Sequence, residues 1–272
     1  MMNAPKLVVL DLDGTVVAHS TRPTRPSQTV VTALAAVRAA GVPVAIATGR
    51  APWGALRTAA DLGLTDGLVS ASHGAITFDL TTSRVTDSHL LDPSIAVTAL
   101  SDADPQTAFA VEMTNGWRHT PNFVRDFHSI WNDIVDLETL AATQTARLAA
   151  RLPGGSGYGV AARCPVASDL ANRAALDPEM YSVEVGYNGW IDIGPPGVTK
   201  ATGVAAIADH YGVTAAETIV FGDAANDLPM FEWAGHAVAM GQAVPEIQAA
   251  ADEVAPSVDD DGVAHVLRRW FT

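Results

Sequence analysis

A single cysteine, Cys164, excludes an intrachain disulfide and suits a reducing compartment. No stretch approaches the roughly 18 uninterrupted apolar residues that a membrane-spanning helix needs, so no span is expected. The N-terminus makes a poor secretory signal, because the apolar segment after Lys6 runs straight into Asp11 and Asp13. Basic residues are few, 16 against 30 acidic ones, for a formal charge of −14. That balance argues against a protein that grips a nucleic-acid backbone, whose footprint is basic. It leaves room for a small anionic substrate, since a bound cation and one or two local basic groups reverse the sign inside a cleft. No repeat period is visible. The 272 residues suffice for one large domain or two smaller ones. The expectation is a soluble, acidic, cytoplasmic protein without nucleic-acid or membrane partners, a monomer or a homodimer.

What the chain does have begins at Lys6–Thr15. The apolar run Leu7–Leu10 reads as a buried strand, parallel to its neighbours. It ends in Asp11 and Asp13, followed at once by Gly14 and Thr15. Ligands of open α/β sheets bind at such strand ends, and two close carboxylates are costly unless a cation or a proton joins them. A polar loop, Ala18–Ser27, borders this end. Val30, Leu34, Val37 and Ala40 then recur at helical spacing, with Ser27 as N-cap and Gly41 as stop. Val42–Ala47 is a second strand ending at Thr48-Gly49-Arg50, which completes a βαβ unit. A helix from Pro52, a short strand Gly67–Ser70, the loop Ser72-His73-Gly74 and a small hairpin follow.

Between about residues 80 and 190 the pattern changes. Pro93–Leu100 is helix-like and Ala108–Glu112 strand-like, with an Asn115-Gly116 turn signal. Leu137–Leu152 reads as partly helical, 151–157 as a loop, and Val160–Cys164 and Tyr181–Val185 as strands. The α/β alternation then resumes. Trp190–Ile193 reads as a strand, Lys200 opens a helix, Thr218–Phe221 and Ala237–Met240 are core strands, and Pro245–Ala251 and Gly262–Trp270 are helices. The sum is an α/β protein, a Rossmann-like parallel sheet core formed by both ends of the chain (1–80 and 190–272), with an α/β domain (81–189) inserted between them.

Polar residues gather at four strand ends: Asp11 and Asp13; Thr48, Gly49 and Arg50; Ser72 and His73; Asp223, Asn226 and Asp227. Lys200 follows the Pro/Gly-rich stretch Gly194–Gly197. Three aspartates, 11, 13 and 223, suit a hard divalent ion such as Mg²⁺, and no Cys/His cluster offers a zinc site. Thr48 and Lys200 suit phosphate oxygens. A carboxylate beside Mg²⁺ and a lysine is a feasible nucleophile toward a phosphomonoester, and a second one can shuttle the leaving-group proton.

Taken together these segments resemble the four motifs of the haloacid dehalogenase-like hydrolases, in order and in spacing: Asp11-Leu12-Asp13-Gly14-Thr15, then Thr48-Gly49-Arg50, then Lys200, then Gly222-Asp223-Ala224-Ala225-Asn226-Asp227. The last segment with Ala237–Gly241, Pro245-Glu246 and Ala249–Asp252 is similar to the Cof-type branch (subfamily IIB), whose α/β cap, of the C2 type, would be the insertion. The resemblance covers essentially the whole chain. It implies Asp11 as nucleophile and Asp13 as general acid/base. Thr48 and Lys200 would act on the phosphate and steady Asp11, and Gly49, Arg50, Asn226 and His73 would also line the phosphate or substrate site. Mg²⁺ would be held by the Asp11 carboxylate, the Asp13 backbone carbonyl and Asp223, with Asn226 and Asp227 behind. The family commonly has Asn-Gly-Ala where this chain has His73-Gly74-Ala75, and a glycine after the lysine where this chain has Ala201-Thr202-Gly203. Trp117, Arg118, His119 and Arg163 are further candidates in the insertion, and Arg57 in the core.

The function implied is a Mg²⁺-dependent phosphomonoester hydrolase of small phosphorylated metabolites, sugar phosphates first, working through an aspartyl-phosphate. The rival expectations are a phosphotransferase or phosphomutase on the same scaffold, and a metabolite-binding regulatory protein without turnover.

Overall fold

A computed structural model describes residues 3–19, 25–124, 131–152, 164–186 and 189–272. The chain divides into two compact units, Met1–Asp87 with Thr199–Thr272, and Ser88–Val198. No helix among the described residues is long and apolar enough to cross a membrane.

Strand β1 (Leu7–Leu10) is buried throughout. Val8 and Leu10 point into one apolar cluster, Leu7 and Val9 into another. Alternate side chains leave opposite faces of a strand, so a run covered on both faces has no place for a polar residue until it ends at Asp11. Helix α1 (Gln28–Ala39) buries Val30, Ala33, Leu34 and Val37 along one stripe, and Ser27 Oγ caps it by accepting from the Val30 amide at 3.1 Å. Strand β2 (Val44–Ala47), helix α2 (Pro52–Asp61), strand β3 (Leu68–Ala71) and the strands β4 (Ile76–Asp79) and β5 (Arg84–Ser88) follow.

The second unit comprises α3 (Ser94–Ala103), β6 (Ala108–Glu112), β7 (Gly116–His119), β8 (Trp131–Ile134), α4 (Leu137–Ala141), β9 (Leu148–Arg151), α5 (Pro165–Ala174), β10 (Ser182–Val185) and β11 (Ile191–Gly194). Its six-stranded sheet has the order β10-β11-β9-β6-β7-β8. Phe109, Val111, Leu148, Ala150, Ile191 and Ile193 share one apolar cluster with Val97 and Leu100 of α3 and Leu170 of α5. Elsewhere in this unit Arg147 is buried against Glu112 at 3.0 Å and Asp192 at 3.5 Å, with its guanidinium 4.9 Å from the Trp117 ring centroid.

The chain then re-enters the first unit through α6 (Lys200–Tyr211), β12 (Thr218–Gly222), α7 (Leu228–Trp233), β13 (His236–Ala239), α8 (Pro245–Ala250), β14 (Glu253–Val254) and α9 (Gly262–Leu267). The sheet order is β14-β13-β12-β1-β2-β3-β4-β5. Strand β1 pairs in parallel with both β12 and β2, with Leu10 opposite Phe221 on one side and Ile46 on the other. The register brings Asp11, Thr48 and Asp223 to the same sheet edge. The strand order reverses at β1, so Asp11 stands at the topological switch point, where open α/β sheets bind ligands. Residues of α1, α2 and α9 cover one face, and residues of α6, α7 and α8 the other.

Three expectations need correction. The units divide at 87/88 and 198/199, not at 80/81 and 189/190: β5 joins the eight-stranded sheet, and β11 pairs with β9 and β10 in the six-stranded one. The helical reading of 137–152 holds only to Ala141, because Leu148–Arg151 is a central strand between β6 and β11. The alanines at 149 and 150 fit a helix as easily as a strand, and pairing decides. Cys164 is a buried residue at the start of α5 rather than the end of a strand, and residues 160–163 lie outside the described residues.

Candidate active site

The site is built on Lys200. As first residue of α6 it places a positive charge at the helix end where the dipole disfavours one. Two carboxylates offset that cost: Lys200 Nζ donates to Asp11 Oδ1 at 2.6 Å and to Asp227 Oδ1 at 2.7 Å. The lysine is 1% exposed and Asp227 0%, so this is a desolvated ion pair and not a surface contact. The α6 backbone is brought in by a close approach: a Cβ on Gly203 would lie 1.9 Å from Ser70 Oγ of β3. The glycine three positions after the lysine therefore seats this helix on the sheet.

Asp227 serves the turn as well as the lysine. Its Oδ2 accepts from the Asp223 and Ala224 amides, each at 2.9 Å. Asp11, Asp223 and Asp227 offer oxygens within 4.8 Å of one another. Asp223 Oδ1 is buried without a hydrogen-bond partner among the described residues, and Asp223 Oδ2 lies 3.0 Å from His19 Nε2. Burial pushes the Asp11 carboxyl up to about 8, with Lys200 opposing and Asp227, Asp223 and Asp13 adding to it. Burial likewise raises Asp223 above the usual carboxylate range, against the His19 hydrogen bond. Burial pulls the His19 imidazole down, yet its bond to Asp223 and the surrounding carboxylates leave it above its ordinary value. Lys200 is held firmly protonated, because Asp11 and Asp227 outweigh its desolvation.

These residues fit a hard divalent cation. The cluster is all oxygen, one buried oxygen is orphaned, and negative charge exceeds what Lys200 neutralises. Asp227 has both oxygens engaged, so it supports the cluster. The Asp13 carboxylate is taken by Arg50, whose Nη2 and Nε donate to Oδ1 and Oδ2 at 2.5 and 2.7 Å, which leaves the Asp13 backbone carbonyl as its candidate contribution to a cation.

Thr48 is buried at the β2 edge. Its amide donates to Ser70 O at 2.8 Å, and its Oγ1 accepts from the Arg50 amide at 3.1 Å, which closes its own turn. The hydroxyl proton is a further donor. Ser72 and His73 both adopt left-handed backbone conformations, φ 52° and 56°, fixed by Ser72 N–H to Arg50 O at 2.8 Å and His73 N–H to Thr48 O at 3.1 Å. Asn226 lies 3.4 Å from His73.

Of the remaining candidates, Arg57 is exposed on α2. Trp117 and His119 are buried in the second unit, and Arg118 lies 3.3 Å from Asp133. Arg163 and the loop 154–159 lie outside the described residues. Sequence reasoning missed His19 and Gln242. Gln242 Nε2 donates to Gly14 O at 2.5 Å, and its Oε1 accepts from the Val258 amide at 2.9 Å. The position of His19, just beyond Thr15 in the loop bordering the strand end, was the available signal for it. Gln242 carried none, being far along the chain from everything it touches.

A carboxylate–lysine–carboxylate cluster at the switch point of a parallel sheet, in a chain interrupted by a separate α/β unit, suits phosphoryl-transfer chemistry on an α/β architecture. The family description that matches is haloacid dehalogenase-like hydrolase, over residues 8–140 and 166–267. The chain is 43% identical over 81 residues to the stress response protein YhaX of Bacillus subtilis, which is 30% of this chain and 28% of that protein. It is 40% identical over 82 residues to the 5-amino-6-(5-phospho-D-ribitylamino)uracil phosphatase YitU of the same organism, 30% of each chain. These matches thus span less than a third of those relatives. The solved structure of the subclass IIB sugar phosphatase BT4131 superposes with a TM-score of 0.79, at 24% identity, over 97% of this chain and 98% of that one. The chain belongs to the haloacid dehalogenase-like hydrolases.

Proposed function

We propose that this enzyme hydrolyses small phosphorylated metabolites, sugar phosphates foremost, with Mg²⁺ and through an aspartyl-phosphate on Asp11. The observation that carries the reading is the buried Lys200 shared by Asp11 and Asp227, with Asp223 beside them at the end of β12.

Lys200 holds Asp11 Oδ1, which leaves the other oxygen to attack phosphorus. A P–O bond to Asp11 forms as the bond to the ester oxygen breaks. Lys200 and the Thr48 hydroxyl meet the charge on the phosphoryl oxygens, in a desolvated setting where such contacts are strongest. The Gly49 backbone and Arg50 belong to the same phosphate-side edge. Asp13 gives its proton to the departing alkoxide and later takes one from the water that attacks the aspartyl-phosphate. To do so it must leave the Arg50 fork. Asp11, the Asp13 carbonyl and Asp223 would hold Mg²⁺, with Asn226 and Asp227 supporting. The ion would supply a positive charge that offsets repulsion between carboxylate and phosphate.

The substrate class is supported by two relatives. BT4131 is a sugar phosphatase, and YitU acts on a phosphorylated ribityl compound. The test is phosphate release from a panel of sugar and nucleotide phosphomonoesters with Mg²⁺, each run with and without an added sugar acceptor. Hydrolysis unaffected by acceptors is the expected result, and transfer to the acceptor would favour a phosphotransferase. Asp11→Asn should abolish release, and an unchanged rate in that variant would overturn the covalent mechanism.

A further inference from the structure

His73 occupies a backbone conformation that costs an ordinary residue about 1–3 kcal/mol, and it does so directly after Ser72 in the same region. Strain of this kind persists where neighbouring structure fixes it. Here the fixing bonds come from the β2 loop, through Arg50 O and Thr48 O. The ring is seated on Gly49: a Cβ at that position would lie 2.6 Å from His73 Cε1. So the imidazole is locked both from its own backbone and from the facing loop.

On its other side the ring meets Asn226. The amide Nδ2 donates to His73 Nδ1 at 3.4 Å, which places the neutral ring's proton on Nε2. Asn226 Oδ1 is buried with no hydrogen-bond partner among the described residues. An orphaned buried acceptor is worth 1–3 kcal/mol of lost solvation, and it signals a partner that arrives with the ligand. With the nitrogen committed to His73, the amide cannot turn over without setting its nitrogen in place of that oxygen.

We infer that His73 is a positioning residue: it fixes the Asn226 side chain so that the amide oxygen, not the nitrogen, is presented beside Asp223 and Asp227, where it accepts a hydrogen bond from water on the bound divalent cation. The assignment rests on the proposed cation site, and it gives His73 work that its neighbourhood to phosphate alone does not. The histidine acts through geometry and does not touch the reacting atoms.

The test is calorimetric titration of metal-free protein with Mg²⁺, no substrate present. His73→Phe keeps a ring over Gly49 and removes the acceptor. Affinity should fall roughly fivefold, the worth of one neutral hydrogen bond. Asn226→Ala should lose a similar factor, and the double variant no more than either alone, since both remove one interaction. His73→Asn should stay within about twofold of the native protein, because asparagine tolerates the left-handed backbone and its Oδ1 stands as many bonds from the backbone as His73 Nδ1. A His73→Phe affinity matching the native one, losses that add in the double variant, or His73→Asn as weak as His73→Phe would each overturn the inference. Absence of Mg²⁺ binding by the native protein would instead overturn the cation site itself, and with it the proposed Mg²⁺-dependent mechanism.

Discussion

Arg50 takes both carboxylate oxygens of Asp13, and the same guanidinium is anchored behind by Thr58 Oγ1 at 2.8 Å and Gly54 O at 3.2 Å. The fork is a planar, preorganised grip that a lysine cannot reproduce. It holds the proposed proton donor at a defined place between turnovers. Arg50→Lys should therefore impair the step in which the leaving group is protonated. We expect kcat to fall about 10- to 100-fold on alkyl phosphates, whose alkoxides need a proton, and much less on an aryl phosphate that leaves unaided. Steady-state kinetics on one substrate of each kind checks this. Equal losses on both would mean that Arg50 acts elsewhere.

The pairing of Lys200 makes a second prediction. Lys200→Met removes the cation and leaves the buried Asp227 carboxylate without its partner, beside Asp11. Breaking a buried pair in this way costs about 3–5 kcal/mol. The melting temperature of the metal-free protein at pH 7 should drop sharply. Adding Asp227→Asn should recover part of the loss, since one stranded charge then disappears. If the double variant melts below the single one, the charge explanation fails and Asp227's bonds to the Asp223 and Ala224 amides dominate.

Cation binding should depend on pH in a definite sense. Burial raises Asp11 to about 8 from its ordinary 3.8. The folded state therefore binds a proton there that the unfolded state has released. This group's contribution to stability is full below about pH 4 and is lost as pH rises through 8. A divalent cation needs the carboxylate, so below pH 8 it must expel that proton. Thermal shifts induced by Mg²⁺ should grow from pH 6 to pH 8 and level off beyond. A shift that is flat across this range would contradict a protonated Asp11 in the metal-free site.

At the far end of the sheet the sign reverses. Glu217 is pulled down to about 2, first by its hydrogen bond with Lys6 and then by the Thr214 amide and hydroxyl. Its contribution is present above its ordinary value of 4.5 and is lost as pH falls toward 2. Glu217→Gln should lower the melting temperature at pH 6 and make no difference near pH 2. Acid titration of both proteins by circular dichroism distinguishes the outcomes.

Much of the first unit was legible because its parallel strands are buried on two faces and so read as unbroken apolar runs that stop at chemistry. Asp11, Thr48, Lys200 and Asp223 stand at those stops or directly after a Pro/Gly-rich break. The second unit was harder for a physical reason. Among the described residues its sheet packs helices on one face, so β11 reads apolar-polar-apolar at Ile191, Asp192 and Ile193, a period of two that distinguishes it from the core strands. That period argued for the six-stranded sheet, yet the resumption of α/β alternation nearby drew the strand into the core. β9 offered two alanines and no period at all. The grip of Arg50 on Asp13 had no signal, because Arg50 reads equally well as a phosphate ligand. His19 was visible as a histidine beside the strand end, but its contact with Asp223 spans 204 positions.

The same separation governs how the molecule comes into being. Strand β1 lies between β2 and β12, and Lys200 meets Asp11 across 189 positions. Until the last quarter of the chain arrives, β1 has one open edge and its two acidic residues have no lysine. Contacts this distant in sequence are the slow ones to form, and a waiting strand edge is open to pairing with another chain. During synthesis the second unit, continuous in sequence, has all its residues before the first does. The Asp11 carboxylate is made long before the lysine that it meets, and it is among the last groups to find its place.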